Sequence, residues 1–441
     1  PLYPDVYRES LGRLRGNTSE SDHINAILED SDGDVWYGSN DGVSLYLSKS
    51  KEWVYFLRSP EGEDKRPPIV LALCEDAQKQ VWVGGYGMGI YRIDKSSCQV
   101  RSFPLRKGMA ANGMATDYIY SIAASGDEVW LGGIEGELTC YHLHTRSYTY
   151  YPANCVGDIQ IGLDGELLLG TCAGLSILDR ESGRLSSYTQ GLERGMAQAP
   201  IRMLSQTAPG LVYLATDGHG LMRVNRNTGK SDSILPDDMN VPSINNVVND
   251  ACGRIWFSSE RQLFCYDPEE GSVMGMNNFL GIKDGDFSAR TLIRKRDGNL
   301  ALGTSDGAIV FSPDFAVKHP DTVKIIFTDF LLSNKSVRPE EKRTPLTKAI
   351  NQTKHISLAY EQNSFSLTFS ALNFLGTERI RYEACLSGFD KDWYEVDDWN
   401  VRYTNLPPGN YMLKLRVVSD YAKKVLGERS LAIKISWPFW F

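Results

Sequence analysis

The amino-acid sequence predicts an all-β protein, a seven-bladed β-propeller followed by an immunoglobulin-like β-sandwich, on three observations. A strand-turn-strand segment recurs seven times along the first three quarters of the chain. The composition, with 40 glycines, nine tryptophans and 22 tyrosines among short apolar runs, favours turn-rich β structure over helices. From about residue 321 the repeat gives way to strands of alternating polarity. The chain has 441 residues, 42% of them apolar, enough for two domains with their own cores, and the change of pattern divides it into 1–320 and 321–441.

The repeat is clearest in INAILEDSDGDVWYGSNDGVSLY (24–46) and IVLALCEDAQKQVWVGGYGMGIYR (69–92). Aligning all copies on their central strand puts Trp36, Trp82, Trp130, Leu168, Tyr213, Trp256 and Ala301 in one column, at spacings of 38 to 48 residues. A period of that length with several short strands per unit is the signature of propeller blades. Each copy reads as strand, polar turn, strand, glycine-containing turn and strand, often with a fourth strand such as EWVYF (52–56). One blade cannot bury both faces alone, so blades stack radially and the tryptophan column fills the space between neighbours. After the seventh copy the chain leaves without a last strand, and DVYRESLGRLR (5–15) is expected to supply it.

In the C-terminal part, SFSLTFSA (364–371) places Phe365, Leu367 and Phe369 on one face, and YMLKLRV (411–417) does the same with Tyr411, Leu413, Leu415 and Val417. With VKIIFTDF (323–330) and LAIKISW (431–437) these make about seven strands, the size of an immunoglobulin-like sandwich. NLPPGNY (405–411) is a turn signal.

A formal charge of -8 and a pI near 5.4 argue against nucleic acid as a partner. The eight cysteines are too sparse for a disulfide scaffold and none forms a C-x-x-C pair, and Cys140 and Cys265 read as small buried hydrophobes. No apolar stretch reaches the length of a membrane span, and the start at Pro1 reads as an excised or processed fragment.

The seven units resemble the two-component regulator propeller repeat, D-x-x-G-x-(L/I)-W-x-G-T-x-x-G-(L/I). The tail YEACLSGFDKDWYEVDDWNVRYTNLPPGNYMLKLRV is similar to the Tyr-Tyr-Tyr domain that follows such propellers, with Tyr382, Tyr403 and Tyr411 at the named positions. The closing SWPFWF resembles the segment that precedes the transmembrane helix in those receptors. The resemblance implies the periplasmic part of a hybrid two-component sensor histidine kinase of the kind typical of Bacteroides, which detects oligosaccharides and controls polysaccharide utilisation. It implies an oligosaccharide ligand, pairing of two copies through the sandwich, and no membrane contact except through a helix absent from this chain. The sequence departs from the family in having one propeller where many members carry two, and no kinase or response-regulator domain.

In such a propeller the turns between second and third strands, and the connections between blades, lie around the mouth of the central funnel, where a ligand is met. The residue after the first position of each inner strand also falls there, giving Asn25, Leu71, Tyr120, Arg202, Asn245 and Arg290. The turns add Asn40, Tyr86, Glu135, Asp217, His219, Arg261 and Asp306. Asn25, Tyr86, Tyr120, Arg202, Asp217, His219, Asn245 and Arg290 are the candidate ligand residues. A tyrosine stacks on the apolar face of a pyranose, while Asn and Arg bond hydroxyls, a carboxylate or a sulfate. Arg58, Arg66, Arg106 and Lys107 add positive charge nearby.

The acidic run Asp30, Asp32, Asp34 invites a calcium site, but the spacing is wrong for an EF-hand and the turn recurs in other copies, so a β-turn is expected. His142 and His144 make half a metal site without a third ligand. Tyr382, Tyr403, Tyr411 and Trp393 read as sandwich core. No catalytic residue, cofactor or metal is assigned. A propeller-type glycosidase or polysaccharide lyase, with Glu135, Asp217 or Asp306 as acids, and a protein-interaction scaffold are the alternatives.

Overall fold

One repeat makes one four-stranded antiparallel sheet, because its short polar turns let consecutive strands pair as hairpins. The computed structural model describes residues 6–9, 23–58, 68–105, 113–192, 194–235, 239, 241–276, 286–314, 323–339, 344–372, 380–396, 398–419 and 425–438. The chain divides into two compact units, Pro1–Ala316 and Val317–Phe441. The first unit is a seven-bladed propeller. Blades 1 to 6 span 24–56, 70–103, 119–151, 156–187, 201–233 and 246–275. Blade 7 contributes Ile293–Arg294, Leu300–Thr304 and Gly307–Phe311, and its fourth strand is Val6–Glu9, with Val6 opposite Phe311 and Glu9 opposite Ala308. The N-terminal closing strand is therefore real. The rest of the expected segment, residue 5 and residues 10–15, lies outside the described residues.

First strands of successive blades lie side by side around the ring, and blade 7 returns to blade 1. Each apolar cluster joins two consecutive blades. Trp36, Leu45 and Phe56 of blade 1 pack on Val70, Val81 and Ile93 of blade 2, and Trp82 of blade 2 packs on Ile119, Leu131 and Tyr141 of blade 3. The ring is completed where Ala301 and Val310 of blade 7 meet Ile24 and Tyr37 of blade 1.

A buried indole needs a partner for its N–H, since an unmade bond costs about 1–3 kcal/mol. Asp30, Asp76 and Asp250 meet that need six residues before Trp36, Trp82 and Trp256, accepting the indole N–H at 2.9, 2.7 and 2.9 Å. The other carboxylate oxygen accepts two backbone N–H groups that close the turn, those of Asp32 and Asp34 in blade 1 and of Gln78 and Gln80 in blade 2. In blade 3, where Ala124 takes the aspartate position, Glu128 accepts from Trp130 instead. The acidic turn of blade 1 is thus a β-turn, as expected. Its three carboxylates converge on Lys95 of blade 2, whose ammonium lies 2.8, 2.8 and 2.9 Å from Asp30, Asp32 and Asp34.

The glycine two residues after the column position in blades 1 to 4 and 7 has a different cause. A Cβ on Gly38 would lie 2.5 Å from Val70 Cγ1, and one on Gly84 would lie 2.5 Å from Ile119 Cγ2. Glycine there lets the next blade's inner strand approach the seam.

The second unit is a β-sandwich. One sheet runs Lys335–Ser336, Lys324–Leu332, Phe365–Leu372, Asn400–Tyr403. The other runs His355–Leu358, Val425–Ile435, Gly409–Ser419, Ile380–Ser387, Tyr394–Glu395. The faces read from the alternation meet in one core, with Phe365, Leu367 and Phe369 against Leu413, Leu415 and Ile433. Tyr403 and Tyr411 belong to that core and Tyr382 packs at its margin, whereas Trp393 does not. Trp393 lies part-exposed under the Arg416 guanidinium, 4.1 Å from its ring centroid, and Arg416 is paired with Glu383. Tyr411 donates its hydroxyl to the Pro407 carbonyl four residues back, fixing the turn of NLPPGNY. Tyr403 donates to Asp390 at 2.6 Å and accepts from Tyr394 at 3.0 Å, which accounts for the aspartate of GFDKDW.

Two measurements test the seams. Gly38→Ala lowers stability by roughly 1–3 kcal/mol through overpacking, and the loss is smaller when measured in a Val70→Ala background. Equal losses in both backgrounds, by denaturant unfolding, would show that the close approach is not the cause. Removal of residues 1–16 takes away the closing strand and lowers the melting temperature.

Candidate functional site

The inner strands carry a β-bulge at the same place in blades 1 to 5. In blade 1, Ile24 pairs with Ser39 and Ala26 with Gly38, leaving Asn25 unpaired, and Leu71, Tyr120, Gly157 and Arg202 occupy the same position. A bulge takes its residue out of the ladder and re-aims the side chain. Asn245 and Arg290 fill the corresponding positions in blades 6 and 7, just before Asn246–Asn249 and Ile293–Arg294.

The turns between second and third strands reach these positions. Asn25 donates to Asn40 at 2.8 Å, and Arg202 pairs with Asp217 at 2.8 Å. Asp217 also accepts from Ser243 on the connection into blade 6. These bonds, from Ser243 and then Arg202, hold the Asp217 carboxyl below its ordinary range. Tyr86, 55% exposed, meets Tyr118 edge-on at 5.0 Å beside the start of blade 3.

Arg290 ties the group together. Its backbone lies in the left-handed region, with φ 60°, and its N–H is donated to the Asn245 carbonyl. The guanidinium extends from blade 7 to lie 4.9 Å over the Tyr120 ring of blade 3, and donates at 3.1 Å to the Gly157 carbonyl of blade 4. Asp158 is the next residue. One of its oxygens accepts from Ser121 Oγ and the Ile159 N–H, the other from the Leu204 N–H of blade 5. Burial pushes the Asp158 carboxyl up to about 6, against the Leu204 bond and the Arg290 charge. Burial also pulls Arg290 below the usual guanidinium value, with the nearby charge of Arg202 adding to it.

The structure therefore brings Tyr120, Arg202, Asp217 and Arg290 into one neighbourhood, with Asn25 and Tyr86 placed at the same level of blades 1 and 2. Asn245 is 5% exposed and meets Arg290 through its main chain. His219 sits against Gly195 of the short helical turn Arg194–Ala197 between blades 4 and 5. Asp158, Ser121 and Ser243 were not singled out from the sequence. The available signal was Asp158 itself, a carboxylate where blades 1 and 2 have Ala26 and Ala72. Of the basic loop residues, Arg66, Arg106 and Lys107 lie outside the described residues.

Two other readings change. Cys155 and Cys172 form a disulfide, so the cysteines are not all unpaired. It joins the start of the blade 4 inner strand to the turn after Leu167–Thr171, beside Gly157, while Cys140 and Cys265 are buried as expected. His142 groups with Glu128 and Cys140 rather than with His144. Arg180 pairs with Glu128 at 2.6 Å, Thr149 bonds His142, and burial pushes the Cys140 thiol up to about 12, so protein groups already satisfy this trio.

The two component regulator propeller model matches residues 18–41 and the Y_Y_Y domain model matches residues 373–436. These two matches, one in each unit, give the chain the make-up of a regulator propeller joined to a Y_Y_Y domain. Among individual proteins it is similar to Histidine kinase P4 of Formosa agariphila, 22% identical over 413 residues, which cover 89% of this chain and 30% of that protein. The extracellular domain assigned to the hybrid two component system BT3049 of B. thetaiotaomicron matches 98% of this chain over 58% of its own length, with 19% identity and a TM-score of 0.71. That assigned to BT4673 of the same organism matches 100% of this chain over 60% of its own, with 18% identity and a TM-score of 0.57. The chain thus spans under a third of the curated relative and about three fifths of the solved domains. No helix among the described residues is long and apolar enough to cross a membrane.

The raised Asp158 pKa gives a signed prediction. A carboxyl whose folded pKa lies above its unfolded value stabilises most below the unfolded value, near 4, and loses that contribution as pH rises through about 6. Two units correspond to roughly 3 kcal/mol. The unfolding free energy of Asp158→Asn relative to the native protein therefore rises by about that amount from pH 4 to pH 7, and a pH-independent difference by denaturant titration would contradict the assignment.

Proposed function

We propose that this chain is the periplasmic ligand-sensing region of a hybrid two-component sensor histidine kinase, that its ligand is an oligosaccharide, and that it regulates polysaccharide utilisation. The observation that carries the reading is the ring of bulge residues. They place asparagine, arginine and tyrosine side chains at one level of the funnel, combining the ring-stacking and hydroxyl-bonding groups a sugar requires. The Cys155–Cys172 disulfide fits an oxidising compartment. The extracellular assignment of the BT3049 and BT4673 domains supports the same location. In this reading the sandwich pairs two copies and passes the change toward the membrane. A ligand drives such a change only by binding one arrangement better than the other.

The enzyme reading has less support. A glycosidase needs a carboxylic acid with a raised pKa facing substrate. Asp217 is held low by Ser243 and Arg202, and the raised carboxyl, Asp158, is committed to Ser121 and two backbone amides.

Calorimetry of this chain against a panel of neutral, uronate-containing and sulfated oligosaccharides, with chromatography of each mixture, tests the proposal. Saturable binding without cleavage, weakened at least tenfold by Tyr120→Ala, is the expected result. Cleavage of any panel member would replace the sensor reading with the enzyme.

A further inference from the structure

We infer that the funnel holds an anion subsite, in which Arg290 and Arg202 together take one carboxylate or sulfate group of an acidic saccharide beside the Tyr120 ring. This deepens the oligosaccharide reading and rests on it for the identity of the carrier. The subsite itself rests on four observations.

The first is geometric. Tyr120, Gly157 and Arg202 are the bulge residues of three consecutive blades, and the middle one has no side chain. A gap is therefore left between the tyrosine and the arginine, and Arg290 reaches into it from the far side of the ring. A Cβ on Gly157 would stand 3.8 Å from Arg290 Nη1, so a longer side chain there would compete for the same space.

The second is an excess of donors. A guanidinium has five N–H groups and no acceptor. Among the described residues Arg290 gives one bond, to the Gly157 carbonyl, and Arg202 is joined to Asp217 through Nη2. The Nε atoms of both are enclosed and have no acceptor. Buried donors are nearly always bonded, and exceptions point to something that arrives.

The third is where the counter-charge goes. Asp158 lies close enough to act on Arg290 electrostatically, yet its oxygens accept from Ser121, Ile159 and Leu204. Arg290 is thus left with charge but without a carboxylate partner in hydrogen-bond contact. Its planar fork matches a carboxylate or a sulfate ester in two parallel bonds, which a neutral hydroxyl does not reproduce.

The fourth is backbone strain. Arg290 is held at φ 60°, a region that disfavours side chains, and such residues gather at ligand sites. The chain as a whole carries -8, so this local cation pair runs against the general field and gives binding a marked salt dependence.

The test uses this chain with three probes at fixed ionic strength set by NaCl: trigalacturonate, a neutral galactotriose, and sodium sulfate. Binding is read by calorimetry, with ¹⁵N–¹H spectra of the arginine Nε–H groups as a second readout. The expected result is saturable binding of trigalacturonate or sulfate that shifts the Arg290 and Arg202 Nε–H resonances. That binding weakens at least tenfold in Arg290→Gln and Arg202→Gln, and weakens further with added salt. If Arg290→Gln does not fold, Arg202→Gln, at a half-exposed position, and Arg290→Lys decide the matter. Lys keeps the charge but loses the fork, so it is expected to retain only part of the affinity.

Absence of a saturable response to both anionic probes, or binding that both variants leave unchanged, overturns the anion subsite. Binding of galactotriose at the funnel without either anion would do so while leaving the oligosaccharide reading intact. Sulfate binding lost in the variants, with neither saccharide bound, would keep the subsite and remove its saccharide carrier.

Discussion

The propeller depends on the closeness of its seven seams. A four-stranded blade has two apolar faces and no core of its own, so the energy of the fold lies between blades, in clusters that draw residues from two neighbours each. Keeping a tryptophan at such a seam requires a partner for its indole N–H. An aspartate six residues earlier supplies it and closes the preceding turn with the same carboxylate. Where the column position is not tryptophan, the aspartate is absent as well. Leu168, Tyr213 and Ala301 have Gly162, Thr207 and Lys295 at that offset. The repeat's acidic residue thus serves its tryptophan, and blade 3, which keeps Trp130 but has Ala124 at that offset, takes the acceptor from Glu128 instead.

Much of this was legible in the sequence. Seven copies of one period required a ring, the shortage of a strand after the seventh copy required an N-terminal closure, and alternation at 364–371 and 411–417 picked out the sandwich faces. Partners brought together from distant blades were not legible. Lys95 fills the acidic turn of blade 1 from 61 residues beyond Asp34, and Arg290 meets Gly157 across 133 residues. Neither separation has a local pattern. Cys155 and Cys172 were missed because pairing depends on the hairpin that brings them together, not on their number. Trp393 was expected in the core, but it immediately precedes the edge strand Tyr394–Glu395, where Arg416 covers the ring instead.

The same constraint explains why the candidate site is where it is. Within each inner strand, the flanking residues are fixed by the seam: Ile24, Val70, Ile119 and Val156 are fully buried against it. The bulge residue between ladder pairs makes no such contact, so its identity is free to differ from blade to blade. Asn25, Leu71, Tyr120, Gly157 and Arg202 have little in common chemically, although their surroundings repeat closely. A ring of positions with shared geometry and unshared chemistry lets one scaffold serve different ligands. The sequence reading reached most of these residues because it followed position in the repeat rather than residue type.

Position in the repeat does not, however, determine what links the positions to one another. Arg290 joins blade 7 to blades 3 and 4, and Asp158 joins blade 4 to blades 3 and 5 through Ser121 and Leu204. Together these two residues connect four blades through polar groups rather than through the apolar seams. A ligand group that bonds the Arg290 guanidinium must either use its remaining donors or replace the Gly157 carbonyl. In the first case the cross-ring tie is kept and strengthened, and in the second it is broken. Occupancy of the funnel is in both cases coupled to the bond between opposite sides of the ring, which gives a ligand something to change beyond its own pocket.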